Sequence, residues 1–168
     1  MDERIKPREE LENILESKRH NHVIVTTSGA FDLLHPGHIR TLKFAKSLGD
    51  ILVVGLNTDE SIRRYKPGRP IMPENDRAQM VAAVRYVDYV TLFNEDTASR
   101  FLASVRPNIH VKGSEYQADG RFLERAVVDA YGITVSYIAR EQNDNSTSGI
   151  IARIIKQAGA PATTEHSR

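Results

Sequence analysis

Apolar residues along this chain recur in two patterns, short β-branched runs and longer stretches with helical spacing. The runs predict five strands, at residues 22–29, 50–57, 87–93, 108–113 and 133–138. The helical spacing predicts seven helices, at residues 7–18, 37–48, 58–64, 75–84, 97–105, 121–131 and 146–157. Residues 66–73 hold three prolines and a glycine, which predicts a loop.

The alternation of strands and helices predicts an α/β fold, a Rossmann-like doubly wound parallel sheet with helices on both faces in a single domain. We expect residues 1–20 to form a helical extension, residues 21–157 the main domain and residues 158–168 a disordered tail. Ligands of such sheets bind beyond the carboxyl ends of the strands. This rule directs attention to residues 28–38, 57–59 and 112–116.

Composition limits the function classes. The 168 residues carry a formal net charge of +1, which gives no reason to expect a nucleic-acid partner. The absence of cysteine excludes disulfides and thiolate metal sites. The N-terminus lacks the apolar core of a signal peptide, and no apolar stretch is long enough to span a bilayer. We therefore expect a cytoplasmic protein with no membrane partner.

The strongest chemical signal follows the first strand, in the sequence SGAFDLLHPGH from Ser28 to His38. Gly29 permits a tight turn, and Gly37 opens the next helix, whose start offers free N–H groups to a phosphate. His35 and His38 flank this helix start, so their ring N–H groups can converge on one anion. Lys46, two helical turns further on, is the candidate for an additional positive charge.

The residues alone leave alternatives open at this point. Two histidines three apart also suit a metal site, or an ordinary helix surface. The chain contains neither a GxGxxG dinucleotide fingerprint nor a GxxxxGK[ST] phosphate loop.

The segment GAFDLLHPGH resembles the signature of the cytidylyltransferase-like nucleotidyltransferase superfamily, whose mark is the HxGH tetrad, here His35 to His38. Residues 45–61 are similar to the segment that follows it in that family. Residues 69–90 and 111–116 are most similar to the heptose-1-phosphate adenylyltransferases, and STSGII at 146–151 resembles the family's STT motif. The resemblance covers residues 23–156.

The resemblance implies a role for each matching residue. The implied catalytic residues are His35, His38, Lys46 and Arg77. The implied nucleotide-binding residues are Gly29, Ala30, Phe31, Gly37, Asn57, Asp59, Lys112, Gly113, Ser146, Thr147 and Ser148. The implied acceptor-binding residues are Asp32, Lys66, Arg69 and Arg140, with no metal ligand among the side chains. Simpler roles remain open for several of them, including an Asx turn, helix caps and a solvated charge.

By the same resemblance, the expected reaction transfers AMP from ATP to D-glycero-β-D-manno-heptose 1-phosphate, giving ADP-heptose and pyrophosphate for lipopolysaccharide core synthesis. Mg²⁺, held mainly by the substrate phosphates, is the expected cofactor. ATP, a sugar 1-phosphate and a second copy in a homodimer are the expected partners. The alternatives are a cytidylyltransferase acting on glycerol 3-phosphate or a related polyol phosphate, a non-catalytic nucleotide-binding module and a metal-dependent hydrolase.

Overall fold

A computed structural model describes residues 2–118, 122–139 and 146–158. The strands are β1 (Ile24–Gly29), β2 (Ile51–Asn57), β3 (Tyr89–Phe93), β4 (Ile109–Gly113) and β5 (Thr134–Ile138). The helices are α1 (Arg8–Lys18), α2 (Pro36–Lys46), α3 (Asp59–Tyr65), α4 (Glu74–Ala82), α5 (Ser99–Val105), α6 (Glu115–Ala118), α7 (Arg125–Tyr131) and α8 (Thr147–Ala158). The strands and most of the helices lie where the hydrophobic pattern predicts them. The four-residue helix α6 has too few residues to show a periodic pattern and was not predicted.

The strands form one sheet in the order β3-β2-β1-β4-β5, and every neighbouring pair is parallel. The chain builds outward from β1 to β3, then crosses to the other side of β1 to form β4 and β5. The predicted Rossmann-like doubly wound sheet is confirmed. The strand order reverses between β1 and β4, which is where such sheets hold their ligands.

The two faces of the sheet are covered by different helices. On one face, Ile24 and Val53 pack with residues of α1, α5 and α7, among them Phe101. On the other face, Val25 and Leu52 pack with residues of α2 and α4. Because side chains alternate along a strand, β1, β2 and β3 each contribute to both apolar clusters, whereas β4 contributes Ile109 and Val111 to the second alone.

Helix α1 packs into the first of these clusters. Its Leu11 and Leu15 are fully buried there. The segment before it joins the sheet through a parallel bridge between Ile5 and Val90. Arg8 is also paired with Glu95 beyond β3, at 2.7 Å between Nη1 and Oε1. Residues 5–18 therefore belong to the same packed unit as the sheet.

The predicted disordered tail begins at Ala158, which is the last residue of α8, and its remaining residues lie outside the described part of the chain. None of the helices that the structure describes is both long and apolar enough to cross a membrane.

Candidate active site

The two histidines of HPGH stack against each other at the start of α2. Their ring centroids lie 3.8 Å apart with an angle of 26° between the planes. His35 is the N-cap residue of α2, and its Nδ1 accepts a hydrogen bond from the backbone N–H of Gly37 at 3.1 Å. Since Nδ1 accepts, a neutral His35 carries its proton on Nε2. The pair thus places imidazole donors at a helix N-terminus.

His38 lies deeper than His35. The ring of Phe31 packs against it with the centroids 5.1 Å apart, and its Nδ1 is buried without a hydrogen bond to any residue in the described ranges. Burial, together with the neighbouring His35, lowers the pKa of His38 to about 3. In the protein without nucleotide, His38 is therefore neutral at physiological pH. An anion bound beside it would raise that pKa again.

The loop that carries the histidines is held in a strained form. Phe31 and Leu33 adopt φ angles of 47° and 48°, a region that residues other than glycine rarely occupy. Between them, the carboxylate of Asp32 accepts hydrogen bonds from the backbone N–H groups of Ile71 and Met72, at 2.9 and 3.0 Å. The loop at residues 66–73 therefore fixes the shape of the β1–α2 loop.

This attachment bears on the predicted acceptor-binding role of Asp32. Its carboxylate also accepts a hydrogen bond from Nε of Arg69 at 2.8 Å, and the side chain is only 2% exposed. Burial alone would raise the pKa of Asp32, but the donated hydrogen bonds hold it below its ordinary value. The carboxylate of Asp32 therefore positions the loop, and its predicted contact with the acceptor stays a prediction.

The start of α8 meets the same loop. Oγ1 of Thr147 donates a hydrogen bond to the backbone oxygen of Asp32 at 2.8 Å, and Oγ of Ser146 accepts one from the N–H of Gly149 at 3.1 Å. The hydroxyl-rich start of α8 thus lies beside the loop that leads to the histidines. Two helix N-termini, from opposite ends of the chain, are brought to one place.

The side chain of Arg77, for which the resemblance implied a catalytic role, is occupied by contacts within the protein. Its side chain is 0% exposed, and its guanidinium donates to the backbone oxygens of Met72, Ala30 and Asn57 and to a carboxylate oxygen of Asp59. Its side chain is fully buried by these contacts, and its predicted contact with phosphates stays a prediction. Arg77 fastens the ends of β1 and β2 to the loop before α4.

The pairing with Arg77 also bears on the role predicted for Asp59. Its Oδ1 lies 2.7 Å from Nη2 of Arg77, so this oxygen neutralises the buried guanidinium. Its backbone N–H donates to Glu74 at 2.7 Å. Asp59 supports the carboxyl edge of β2 through these contacts, and its nucleotide-binding role stays a prediction.

Lys46 is the clearest correction. It lies eight residues after His38, a distance of about 12 Å along the helix axis. Its Nζ donates to Asp88 and to the backbone oxygen of Asp50, each at 2.6 Å. These partners precede β3 and β2, at the amino edge of the sheet. Lys46 is therefore at the wrong end of α2 to assist the histidines.

A cavity of about 510 Å³ opens at the carboxyl edge of the sheet. The ends of β1, β2, β3 and β4 contribute to it, together with α3 and the segments before α5 and α7. Its lining residues are Ser28, Gly29, Ala30, Asn57, Arg64, Tyr65, Lys66, Phe93, Asp96, Thr97, Ala98, Lys112, Tyr116, Leu123 and Glu124.

The cavity and the histidine pair lie toward opposite faces of the sheet. Ala98 belongs to the α1, α5 and α7 face, and Lys112 points to that face because its neighbour Val111 packs on the other. The histidines begin α2, which packs on the face shared with α4. Gly29 and Ala30 end β1 between the two regions and line the cavity. A ligand in the cavity and a ligand beside the histidines would therefore meet over Gly29 and Ala30.

The structure gathers five of the predicted binding residues in the cavity: Gly29, Ala30, Asn57, Lys66 and Lys112. A second group lies around the histidines and the start of α8: Phe31, Gly37, Ser146, Thr147 and Ser148. Gly113 ends β4 and is outside the cavity lining. Arg140 lies outside the described residues.

Several cavity residues were missed by sequence reasoning. Asp96, Thr97 and Ala98 follow β3, and the rule of strand carboxyl ends could have found them. Leu123 and Glu124 precede α7, a helix, so that rule gives no signal for them. They reach the cavity only because α7 packs beside α5 on the sheet.

In the described ranges, no three histidine or acidic side chains converge in a way that could hold a metal ion. A metal caged by these side chains does not fit this site. A cation carried in by the phosphates of a nucleotide and by water remains compatible with it.

The fold and the site together define a doubly wound α/β protein, with a histidine pair at one of two adjacent helix starts and a separate cavity beside them. The cytidylyltransferase-like family matches residues 26–153. The chain belongs to this family of nucleotidyltransferases, as its HxGH resemblance indicated.

Curated relatives share sequence over most of the chain. The bifunctional protein HldE of Syntrophotalea carbinolica is 43% identical over 156 residues, covering 92% of this chain and 31% of the relative. HldE of Citrifermentans bemidjiense is 47% identical over 133 residues, covering 79% and 27%. The chain thus spans about a third of the length of these relatives.

Two solved structures share the fold. A lipopolysaccharide core biosynthesis protein from Thermoplasma volcanium has 32% identity and a TM-score of 0.60, covering 73% of this chain and 99% of that protein. A pantoate–β-alanine ligase from Francisella tularensis, complexed with a form of ATP and β-alanine, has a TM-score of 0.61 and covers 89% and 72%. At 15% identity, this second likeness bears on the fold alone.

Proposed function

We propose that the chain transfers AMP from ATP to D-glycero-β-D-manno-heptose 1-phosphate, releasing pyrophosphate and forming ADP-heptose for lipopolysaccharide core synthesis. The observation that carries the proposal is the pairing of two regions across Gly29 and Ala30. One has two stacked imidazoles and two helix starts, and the other is a cavity of about 510 Å³. The similarity to HldE and to a lipopolysaccharide core biosynthesis protein supports this choice of substrates.

The nucleotide belongs on the histidine side. The start of α8 offers backbone N–H groups, and Ser146, Thr147 and Ser148 add hydroxyls. At the start of α2 the N–H groups of Gly37, His38 and Ile39 are bonded to His35, so this helix contributes the positive end of its dipole. His35 and His38 donate hydrogen bonds to phosphate oxygens around the α-phosphorus, where negative charge grows during transfer. The triphosphate raises the pKa of His38 from its low value in the free protein, so that its ring binds the phosphates as a stronger donor.

The acceptor belongs in the cavity. Lys66 lines it, and among the described residues no carboxylate is paired with this ammonium, which lies 5.6 Å from the centre of the Tyr65 ring. A free cation on the cavity wall suits the phosphate of the acceptor. Arg69 keeps its predicted acceptor role as a neighbour of the same loop, since only its Nε is engaged by Asp32. Arg140 also remains a predicted acceptor residue.

The chemistry follows from this arrangement. A phosphate oxygen of the acceptor attacks the α-phosphorus of ATP in line, forming a new P–O bond while the bond to the β-phosphate oxygen breaks. The electron pair leaves with pyrophosphate. The acceptor oxygen is already anionic, so no protein nucleophile is required, and catalysis consists of positioning and charge stabilisation. The nucleotide enters as its Mg²⁺ complex, and the bound cation would offset phosphate charge.

A product assay tests this proposal. The protein is incubated with ATP or CTP and with heptose 1-phosphate or glycerol 3-phosphate, and the products are identified by mass spectrometry. We expect ADP-heptose from ATP with heptose 1-phosphate and no other substantial product. CDP-glycerol as the main product would contradict the proposal, and so would the absence of any nucleotide conjugate.

The cytoplasmic location, the homodimer and the domain boundaries after residues 20 and 157 stay predictions. Light scattering of the purified chain tests the homodimer, for which a mass of twice 18.9 kDa is expected.

A further inference from the structure

The wall of the cavity contains a largely buried ion pair. Nζ of Lys112 lies 3.2 Å from Oε1 of Glu124, and the two side chains are only 11% and 7% exposed. Both residues line the cavity. The other ion pair in the cavity wall, Arg64 with Asp96, is far more exposed, at 38% and 75%. Of these two ion pairs, Lys112–Glu124 is therefore the more removed from water.

Glu124 uses only half of its hydrogen-bonding capacity on the protein. Its Oε1 accepts from both Lys112 and the backbone N–H of Ala98, each at 3.2 Å. Its Oε2 accepts no hydrogen bond from the residues that the structure describes. Glu124 is only 5% exposed and lines the cavity, so the accessible part of its carboxylate faces the cavity. Oε2 is suited to a ligand that donates a hydrogen bond.

The charge of the pair indicates which part of a ligand it suits. Because Glu124 balances Lys112, the pair has no net charge and does not favour a phosphate. A neutral hydroxyl group, which both donates and accepts hydrogen bonds, matches a carboxylate next to an ammonium. The rings of Tyr116 and Phe122 lie 5.0 and 6.0 Å from Nζ of Lys112. Tyr116 also lines the cavity and offers a flat apolar surface beside the pair.

We propose that Glu124 and Lys112 form the pair that selects the acceptor by its sugar hydroxyls. Oε2 of Glu124 accepts a hydrogen bond from a ring hydroxyl, and Nζ of Lys112 donates one to the same or the neighbouring hydroxyl. The acceptor then lies with its phosphate toward Lys66 and its hydroxyls toward this pair. This inference rests on the proposed function, and it moves Lys112 from the nucleotide to the acceptor.

The test compares Glu124→Gln with the wild type, using heptose 1-phosphate and its monodeoxy analogues. Glutamine keeps an oxygen for the N–H of Ala98 but replaces the other acceptor with a donor. We expect the KM for heptose 1-phosphate to rise about 10- to 100-fold, the scale of losing one hydrogen bond to a charged group. The KM for ATP should stay within about twofold. Glu16→Gln, which makes the same change at an exposed carboxylate of α1 outside the cavity lining, should change both KM values by less than about twofold.

The deoxy analogues separate recognition from support of the fold. The analogue that lacks the contacted hydroxyl should bind the wild type weakly and lose little more in Glu124→Gln. Equal losses for every analogue would show that Glu124 only supports the fold, and an unchanged KM would overturn the proposal directly. If Glu124→Gln does not fold, Lys112→Gln provides the same comparison, because it leaves the bond from Ala98 to Glu124 in place.

Calorimetric binding of heptose 1-phosphate is measured in parallel without ATP. If the wild type binds the sugar phosphate but releases no pyrophosphate, the proposed reaction is refuted. The binding data for the variants then still test the role of Glu124 and Lys112. If the wild type binds no sugar phosphate in the absence or presence of ATP, the pair's assigned role is overturned.

Discussion

Replacement of Arg77 by alanine should destabilise the protein strongly. The guanidinium is fully buried and donates to three backbone oxygens and one carboxylate oxygen. Alanine would leave those four acceptors without a donor, and Asp59 without its buried counter-charge. Breaking a buried ion pair by removing one partner costs about 3–5 kcal/mol. Unsatisfied buried acceptors add about 1–3 kcal/mol each when water cannot reach them.

Asp59 is 18% exposed, so water can solvate part of what the guanidinium leaves behind. We therefore expect a net loss of about 4 kcal/mol in the free energy of unfolding, the middle of the range for a broken buried pair. For a domain of this size, each kcal/mol lowers Tm by about 2–4 °C, which gives a decrease of about 8–16 °C.

The assay is urea denaturation followed by circular dichroism, with thermal melts as a second measure. Arg100→Ala is the matched control, because Arg100 is an exposed arginine at the start of α5. It should change the free energy of unfolding by less than about 0.5 kcal/mol. If Arg77→Ala unfolds like the wild type but loses activity, Arg77 acts on the substrate and the structural role assigned to it is wrong.

Three further outcomes are expected. Lys46→Ala should keep its turnover number within about twofold of the wild type in a pyrophosphate-release assay. It should lose at most about 1 kcal/mol of stability, since the ion pair of Lys46 with Asp88 is about one-third exposed. A hundredfold loss of turnover would return Lys46 to the catalytic site. Asp32→Asn should lower kcat more than it raises the KM for ATP, because it loosens the loop that orients the histidines; unchanged kinetics would refute this positioning role. Stability should fall as pH drops below about 6.5, because burial keeps the pKa of His38 and His110 well below that of the unfolded chain, which binds the protons first. Each histidine contributes up to about 1.4 kcal/mol per pH unit, so denaturation of His110→Gln between pH 7 and 5 should show a shallower slope, and an unchanged slope would contradict the assignment.

The pattern of apolar residues was sufficient to predict the sheet because its strands are buried on both faces. Ile51 to Asn57, for example, forms an uninterrupted buried strand, and such runs bounded by glycine or polar residues have few other interpretations. The HPGH segment was equally informative, since a histidine pair at a helix start follows from local sequence alone. Its place beside the start of α8 depends on a contact between Thr147 and Asp32 that local sequence does not encode.

The roles of single charged residues were harder to predict. Lys46, Arg77 and Asp59 have the residue types of a phosphate site, but Lys46 is paired with Asp88 at the amino edge of the sheet, and Arg77 and Asp59 are paired with each other. A motif match gives residue identity and spacing, whereas burial and pairing decide whether a charge can reach a ligand. Glu124 shows the converse, since tertiary packing alone brings this residue from the start of α7 to the cavity wall.

The central claim is that the histidine pair at the start of α2 stabilises nucleotidyl transfer to a sugar phosphate. The most direct test measures pyrophosphate release from ATP with heptose 1-phosphate, for the wild type and for His38→Ala. We predict acceptor-dependent release by the wild type and a turnover number about 10²–10³-fold lower in the variant, the scale of losing one preformed stabilising donor. Wild-type turnover in a correctly folded His38→Ala protein would contradict the account.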